Sequence, residues 1–374
     1  MSREMALALV RQLQDALNRH DAARIMDCYA ENAVVVSPVF AEVHGRAAIA
    51  STWDTTFATI PDCRLDVSDV LVDGDRVAIL GTFTATDRSG WFGRPATGGL
   101  VSYREVILCT VEDDKIVREE RIYDNSGVLE RLEKARLDKE LRTAAEVQRT
   151  LMPRTVHVSE HCEAVGDSIP CRAIGGDFFE LIDLPRGDFG IVLGDVSGQG
   201  PPAALLAAML QGMFAVEAQI GDSPAATLSR VNQRLVERRL NARFATLVYA
   251  VLSPDGRLVY SNAGHNPPAL VARDGIRRLT TSSLILGAFP HAAFAEETLQ
   301  LNAHDTLVMF TDGVTEARNP ADEEFGDERL VSCLKATAAS PPASLLACVF
   351  GAVREFCRQA DPVDDITVTV TRYR

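Results

Sequence analysis

From Asp188 to Gly200 the chain reads Asp-Phe-Gly-Ile-Val-Leu-Gly-Asp-Val-Ser-Gly-Gln-Gly. A short apolar run bounded by glycine and aspartate reads as a strand, and this one delivers a single carboxylate, Asp195, to its end. A glycine-rich turn follows, and then an alanine- and leucine-rich segment, Pro202–Ala218, expected to be helical. A carboxylate at a strand end beside flexible backbone is a common way to hold a hard metal ion at a phosphate site. Three other acids are expected to converge on it: Asp177 in Gly-Gly-Asp, Asp312 in Phe-Thr-Asp-Gly and Asp364 in Asp-Asp-Ile-Thr.

A chain of 374 residues is long for one domain, and its 47% apolar content is enough for two ordinary cores. The 52 acidic residues outnumber the 38 basic ones, for a formal charge of −14. That balance argues against binding to nucleic acid or to an anionic membrane, both of which call for basic patches. The eight cysteines (Cys28, Cys63, Cys109, Cys162, Cys171, Cys333, Cys348 and Cys357) form no Cys-x-x-Cys pair and mostly sit in apolar runs. Reduced buried thiols in a cytoplasmic protein are therefore expected. The first 18 residues lack the uninterrupted apolar core of a signal peptide. No stretch of about 18 apolar residues is expected to span a membrane.

Residues 1–127 open with helical periodicity, with Met5, Leu9, Leu13, Ala16 and Leu17 on one face. A second helix is expected over Ala22–Tyr29, a strand at Val34–Val36 and a helix over Gly45–Phe57. Strands then dominate: Arg64–Val72, Arg76–Thr86, Gly98–Val111 and Ile116–Tyr123, punctuated by Asp73-Gly74-Asp75 and Asp113-Asp114. Helices followed by an antiparallel meander imply an α+β domain.

This order of elements resembles the NTF2-like, SnoaL-like cone fold. So do the strings Gly-Arg-Ala-Ala-Ile…Trp, Gly-Asp-Arg-Val-Ala, Pro-Ala-Thr-Gly-Gly and Lys-Ile-Val-Arg-Glu-Glu-Arg-Ile-Tyr-Asp. The resemblance points to a pocket acid or base, for which Asp124 and His44 are the candidates. It also points to a pocket lined by Trp53, Phe57, Trp91 and Tyr103 for a small apolar ligand. Ordinary packing explains those aromatics equally well. Asp124 also reads as a cap on the following helix, and His44 as a loop residue.

Residues 128–151 contain no Gly or Pro. An apolar seam steps by four and three through Leu137, Leu141, Ala144, Gln148 and Leu151, as in a short coiled coil. Val128, Leu132 and Ala135 repeat the spacing in an offset register. One continuous helix with two working faces is expected, ended by Pro153. It is either packed on its own domain or a lever between the halves at a homodimer interface.

Residues 152–374 alternate strand signals with helical segments. The strands are Phe189–Leu193, Phe244–Leu252, Arg257–Asn262, Pro268–Ala272, Ile276–Leu279, Thr306–Phe310 and Ile366–Thr371. The helices are Pro202–Ala218, Pro224–Leu240, Asp327–Thr337 and Pro341–Arg358. Ser253-Pro254-Asp255-Gly256 and Arg273-Asp274-Gly275 read as hairpin turns. A sheet sandwich covered by helices is expected.

Seven strings occur in order here: Gln148-Arg-Thr-Leu-Met-Pro153, Ile174-Gly-Gly-Asp-Phe-Phe-Glu180, Gly194-Asp-Val-Ser-Gly-Gln-Gly200, Phe244-Ala-Thr-Leu, Asn262-Ala-Gly-His-Asn-Pro-Pro268, Phe310-Thr-Asp-Gly-Val-Thr-Glu316 and Asp364-Asp-Ile-Thr367. Together they resemble the SpoIIE/RsbU branch of the PP2C-like metal-dependent serine/threonine phosphatases. The resemblance implies an αββα sandwich and a metal site made by Asp177, Asp195, Asp312 and Asp364 with the backbone carbonyl of Val196. Asp195 and Asp312 carry the catalytic assignment, and Asp365 stands behind the ligands. Gln199 stands where the family often has His and cannot titrate as an acid at neutral pH; shaping the turn is its expected role. His265 and Asn266 are expected to be structural.

Two divalent ions, Mn²⁺ or Mg²⁺, suit four carboxylates better than zinc does. They neutralise a phosphate dianion and generate hydroxide near neutral pH. The implied substrate is a phosphorylated STAS-domain anti-anti-sigma protein in a partner-switching circuit. The front domain is then the input. The competing reading is a non-catalytic signalling module that keeps the fold only to bind a partner.

Overall fold

A computed structural model describes residues 2–152, 155–238, 243–358 and 362–374. Its contacts divide the chain into two compact units, Met1–Glu140 and Leu141–Arg374. Pro153 and Leu240, the expected ends of two helices, lie outside the described residues.

The first unit contains α1 (Arg3–Asn18), α2 (Ala22–Met26), β1 (Tyr29–Ser37), β2 (Ala41–His44), α3 (Arg46–Thr59), β3 (Arg64–Asp73), β4 (Arg76–Thr86), β5 (Leu100–Glu112) and β6 (Lys115–Ile122). Its sheet runs β2-β1-β6-β5-β4-β3. Only the β1–β6 pair is parallel. Ser2 caps α1 by accepting from the Met5 amide. The buried face of α1 is Ala6, Val10, Leu13, Ala16 and Leu17, so Leu13, Ala16 and Leu17 of the expected stripe are buried, Leu9 packs partly against the core and Met5 is exposed. Asn18 then locks the helix end to β3, its side chain donating to and accepting from Leu65 at 3.0 and 2.8 Å. The expected helix over Ala22–Tyr29 is shorter, because Tyr29 already belongs to β1.

Alternation along β5 turns Tyr103, Glu105, Ile107 and Cys109 to the inner face of the sheet. Buried polar groups need partners, and Glu119 has two. It accepts from the Tyr29 hydroxyl and, at 2.5 Å, from Arg121 Nε. The Arg121 guanidinium lies 4.5 Å over Trp53. Trp53 and Trp91 are core residues, whereas Phe57 and Tyr103 are half-buried against the same cores. Helix α4 (Asn125–Leu151) starts in this unit and ends in the next. Val128 and Leu132 are buried in the first unit's core.

The second unit contains β7 (Val156–Val158), β8 (Cys162–Ile169), β9 (Phe178–Asp183), β10 (Phe189–Val196), α5 (Pro201–Glu217), α6 (Pro224–Glu237), β11 (Ala245–Leu252), β12 (Arg257–Ala263), β13 (Ala269–Ala272), β14 (Gly275–Arg278), β15 (Glu297–Gln300), β16 (Thr306–Phe310), α7 (Asp312–Thr315), α8 (Gly326–Ala336), α9 (Pro342–Phe356) and β17 (Ile366–Tyr373). Two antiparallel sheets form, β15-β12-β11-β10-β9 and β14-β13-β16-β17-β8-β7. One core, including Ile191, Leu193, Val248, Leu307 and Met309, joins the two sheets. Val192, Leu247 and Tyr249 pack on α5 and α6, and Val308, Val368 and Val370 pack on α8 and α9. The order is therefore helix, sheet, sheet, helix. Strand β10 is buried on both faces, which is why its sequence is apolar without alternation. Each fully buried Leu or Phe in these layers stabilises by about 1.5–3 kcal/mol.

The cysteine expectation fails at one pair, and one helix passes the bare length-and-composition test for a span. Pro201–Ile220 is long and apolar enough to cross a membrane by length and composition, although half of it is buried in the second unit. Its apolar excess serves the core under α5. Cys333 on α8 and Cys348 on α9 are joined as a disulfide rather than free, their Cα atoms 6.5 Å apart on packed helices.

Candidate metal centre

Every candidate acid sits where a strand begins or ends. Asp177 precedes β9, and Asp195 is the penultimate residue of β10. Those two strands are antiparallel with Gly194 opposite Phe178, so the register brings the two aspartates side by side. In the other sheet Phe310 lies opposite Val368, which sets Thr311–Asp312 beside Asp364–Asp365. The Thr311 amide donates to the Thr367 carbonyl at 3.0 Å.

A hydroxyl ties the two pairs together. Thr311 Oγ1 donates to Asp177 Oδ2 at 2.7 Å and accepts from the Thr367 amide at 3.0 Å. Asp365 acts as a backbone clamp: Oδ1 accepts from the Cys171 amide at 2.8 Å and Oδ2 from the Gly176 amide at 2.7 Å. Both oxygens are thereby engaged in shaping the loop that carries Asp177. The Val196 carbonyl lies close to Gly176, where a Cβ would stand 3.0 Å from it. Gly198 and Gly200 have φ of +93° and +73°, a region glycine enters without strain, and the turn they make leaves Gln199 exposed.

The electrostatics follow from this crowding. Burial, then the Asp195 charge, pushes Asp177 well above the usual carboxylate range. Burial, then Asp312, Asp364 and Asp365, pushes Asp195 up to about 7. Asp364 is also raised, by desolvation and then by Asp312 and Asp365. The strongest charges acting on Asp195 are all acidic. Such a cluster is costly on its own and becomes favourable around cations. The donors are all oxygen, which suits hard divalent ions. Cys171 lies with Asp364 and Asp365 within 4.8 Å. Without a cation its thiol is pushed up to about 12, by burial and then by Asp365.

His265 is structural, as expected. Its ring bonds Thr246 Oγ1 at 2.8 Å and the Phe310 carbonyl at 3.2 Å. A carbonyl only accepts, so Nε2 carries the proton and Nδ1 accepts from Thr246. Burial holds its pKa down to about 4. The ring thus braces β16 just before Thr311. Asn266 is half-buried in the adjacent turn.

The first-unit candidates do not assemble. Asp124 is exposed and accepts from the Gly127 amide at 2.9 Å at the start of α4, as a helix cap does. His44 is exposed on β2 beside Glu42, 3.1 Å away. The residues that sequence reasoning passed over were Thr311, Glu316 and Gln148 as site elements, although each lies inside a quoted string. Glu316 is pushed upward by desolvation and then by Asp312. Gln148 makes a two-way bond with Gly175, donating to its carbonyl at 2.8 Å and accepting from its amide at 3.2 Å. Leu141 and Ala145 pack beside Ile174 and Ala204, so the end of α4 is moored to the loop holding Asp177. Leu137, Ala144 and Leu151 of the expected seam are exposed; Ala145, one position on, is the buried residue.

Glu180, three residues beyond Asp177, lies under α5 and accepts from Gln211 Nε2 at 3.2 Å. Burial pushes its carboxyl up to about 7. A raised folded-state pKa contributes stability below the unfolded value of about 4.5 that is lost as pH rises through about 7. Glu180→Gln is therefore expected to stabilise the protein at pH 8. The gain is on the order of 1–2 kcal/mol after discounting for partial solvent contact. Urea denaturation at pH 8 and pH 5 checks this, since the difference should shrink at the lower pH.

The four-layer sandwich with acids at its strand ends is a PP2C-like phosphatase domain fold. The family model described as Stage II sporulation protein E (SpoIIE) matches residues 185–374, and the chain belongs to that family. A second model, the SnoaL-like domain, matches residues 10–119. Among curated relatives, Phosphoserine phosphatase RsbU of Bacillus subtilis (strain 168) is 30% identical over 183 residues, 48% of this chain and 54% of its own length. Protein IcfG of Synechocystis sp. is 28% identical over 226 residues, 53% of this chain and 36% of its own. The chain thus spans about half or less of the length of these relatives. Among solved structures, the SiaA-PP2C domain of Pseudomonas aeruginosa superposes with a TM-score of 0.57 at 19% identity, covering 64% of this chain and 98% of that one. The PP2C phosphatase domain of SpoIIE from Bacillus subtilis gives 0.51 at 19%, covering 57% and 63%. These likenesses establish the fold.

Proposed function

We propose that the protein is a metal-dependent phosphatase of phosphoserine or phosphothreonine in proteins, acting on a phosphorylated STAS-domain anti-anti-sigma protein. The observation that supports it most is the gathering of Asp177, Asp195, Asp312 and Asp364 from four strand ends in two sheets. RsbU and RsbP, which the chain resembles in part, are named phosphoserine phosphatases.

The four aspartates and the Val196 carbonyl are the groups that would hold two divalent ions, Mn²⁺ or Mg²⁺. Bound there, such ions supply positive charge against a phosphate dianion and lower the pKa of water. The chain itself supplies position. Thr311 fixes Asp177, Asp365 fixes the loop behind it, and His265 fixes the end of β16. Asp195 and Asp312 carry the catalytic assignment that the family resemblance implies. Gln199, exposed and untitratable, shapes the turn.

In this reading residues 1–127 form the input domain, 128–151 the helical connector and 152–374 the phosphatase. Trp53 and Trp91 are packed in the front domain's cores, so a small ligand there needs those aromatics to move apart. The exposed Leu137 and Leu151 on α4 suit a homodimer. The location is the cytoplasm.

Incubation with Mn²⁺ and a phosphorylated STAS-domain protein is expected to release inorganic phosphate, and EDTA to stop the release. Retention of phosphate on that protein and on p-nitrophenyl phosphate, with Mn²⁺ binding seen by calorimetry, would instead favour the partner-binding module.

A further inference from the structure

A cavity of about 400 Å³ lies against the turns that carry Asp312 and Asp364. Its walls include Ile169, Gly313, Phe350, Val353, Arg354 and Val363. Phe350 and Val353 are buried in the core between β17 and α9, so the floor is apolar and firm. Val363 is 69% exposed and stands at the mouth. The chain direction makes the location specific. Gly313 follows Asp312, and Val363 precedes Asp364. Two walls of the cavity therefore adjoin acid-bearing turns along the chain.

The charges at the mouth differ in their engagement. Arg318 lines the same cavity but is paired with Asp322 at 3.1 Å and Glu324 at 2.5 Å. Arg354 is exposed and has no ion-pair partner among the described residues. Arg354 gives the rim of this cavity a positive charge on a chain whose net charge is −14.

We propose that this cavity is the docking subsite for the polypeptide substrate, taking an apolar side chain near the phosphorylated residue while Arg354 meets an acidic one. The proposal rests on the phosphatase reading and deepens it. A phosphoresidue at the cluster places its neighbours in the chain over the Gly313 and Val363 walls. The volume fits one large side chain or two small ones, and burial of an apolar group there contributes affinity that a small phosphate ester cannot gain. Arg354 adds choice between sequences through charge complementarity. The subsite thus turns a general phosphate-cleaving centre into a sequence-selective one.

The test uses the full chain with Mn²⁺ and a set of phosphoserine peptides in an alanine background. One leucine and one aspartate are moved through the positions flanking the phosphoserine, and p-nitrophenyl phosphate is the reference. At least one peptide is expected to exceed the all-alanine peptide by about tenfold in kcat/KM. Two variants at exposed positions read the subsite. Arg354→Glu should erase the preference for aspartate and favour lysine at that position. Val363→Asp should erase the preference for leucine. In both, kcat/KM for the preferred peptide should fall about tenfold relative to p-nitrophenyl phosphate. No peptide preference in the wild type, or a preference that both variants retain, overturns the proposal. Absence of turnover on every peptide and on p-nitrophenyl phosphate would instead bring down the phosphatase reading, and the subsite with it.

Discussion

Asp195→Asn is expected to abolish phosphate release and to leave the metal-free protein at least as stable as the wild type. The two halves of this result have one cause. Asp195 lies against Asp177 and feels the charges of Asp312, Asp364 and Asp365, so its own charge is unfavourable until a cation arrives. Asparagine keeps the shape and the hydrogen-bonding oxygen but removes that charge. The folded chain without metal loses a repulsion and keeps its packing, because β10 is held by apolar neighbours on both faces. The metal-bound chain loses the carboxylate at the centre of the set. Groups that merely orient a ligand cost about 10–100-fold when removed, and a direct ligand should exceed that range. Activity with Mn²⁺, the melting temperature in EDTA and the rise in melting temperature on adding Mn²⁺ are the three readings. Loss of activity with an unchanged Mn²⁺-induced rise would move Asp195 out of the ion site. Near-normal activity would remove the assignment altogether.

What could be read from the sequence divides along physical lines. Apolar strands with strong turn signals were legible, as at Arg76–Thr86 and Thr306–Phe310, which match β4 and β16. Strands β8 and β9 were not. Cys162–Ile169 and Phe178–Asp183 carry charged residues and a glycine, and their strand state comes from pairing with β17 and β10 across long separations. The four acids could be named as candidates because each sits in a short string at a strand boundary, and the fold brings those boundaries together. How they are held could be read only in outline: the strings place Asp365 behind the ligands and make His265 structural but name no partner for either, and they give Thr311 no role. The three act through bonds to residues 134, 189 and 45 positions away. No periodicity reports such contacts. The inner Glu119–Arg121–Tyr29 group escaped for a similar reason. Its members lie on β1 and β6, and only the fold shows that they meet.

Gly313→Ala should cost more than its single methyl suggests. Gly313 is buried between Asp312 and Val314, and a Cβ there would overlap the Asp365 carbonyl oxygen, with the Asp364 carbonyl carbon 3.5 Å away. Both are backbone atoms, which cannot rotate aside as a side chain does. The turn bearing Asp312 must therefore part from the loop bearing Asp364 and Asp365. That separation strains the Thr311 hydroxyl, which reaches the Asp365 carbonyl at 3.4 Å and the Thr367 amide at 3.0 Å. It also disturbs the clamp that Asp365 places on the Asp177 loop. Overpacking of this kind destabilises by about 1–3 kcal/mol, and misplacement of a site by about 1 Å can cost about 100-fold in rate. Gly212→Ala supplies the contrast. Gly212 is exposed in the middle of α5 with nothing near its missing Cβ. Alanine there should stabilise by roughly 0.5–1 kcal/mol and leave turnover alone. The pair of variants separates a glycine required by close approach from one that a helix merely tolerates. Equal behaviour in denaturation and in phosphate release would mean that the turns of Asp312 and Asp364 do not touch as described, and the case for one shared ion site would lose its geometric footing.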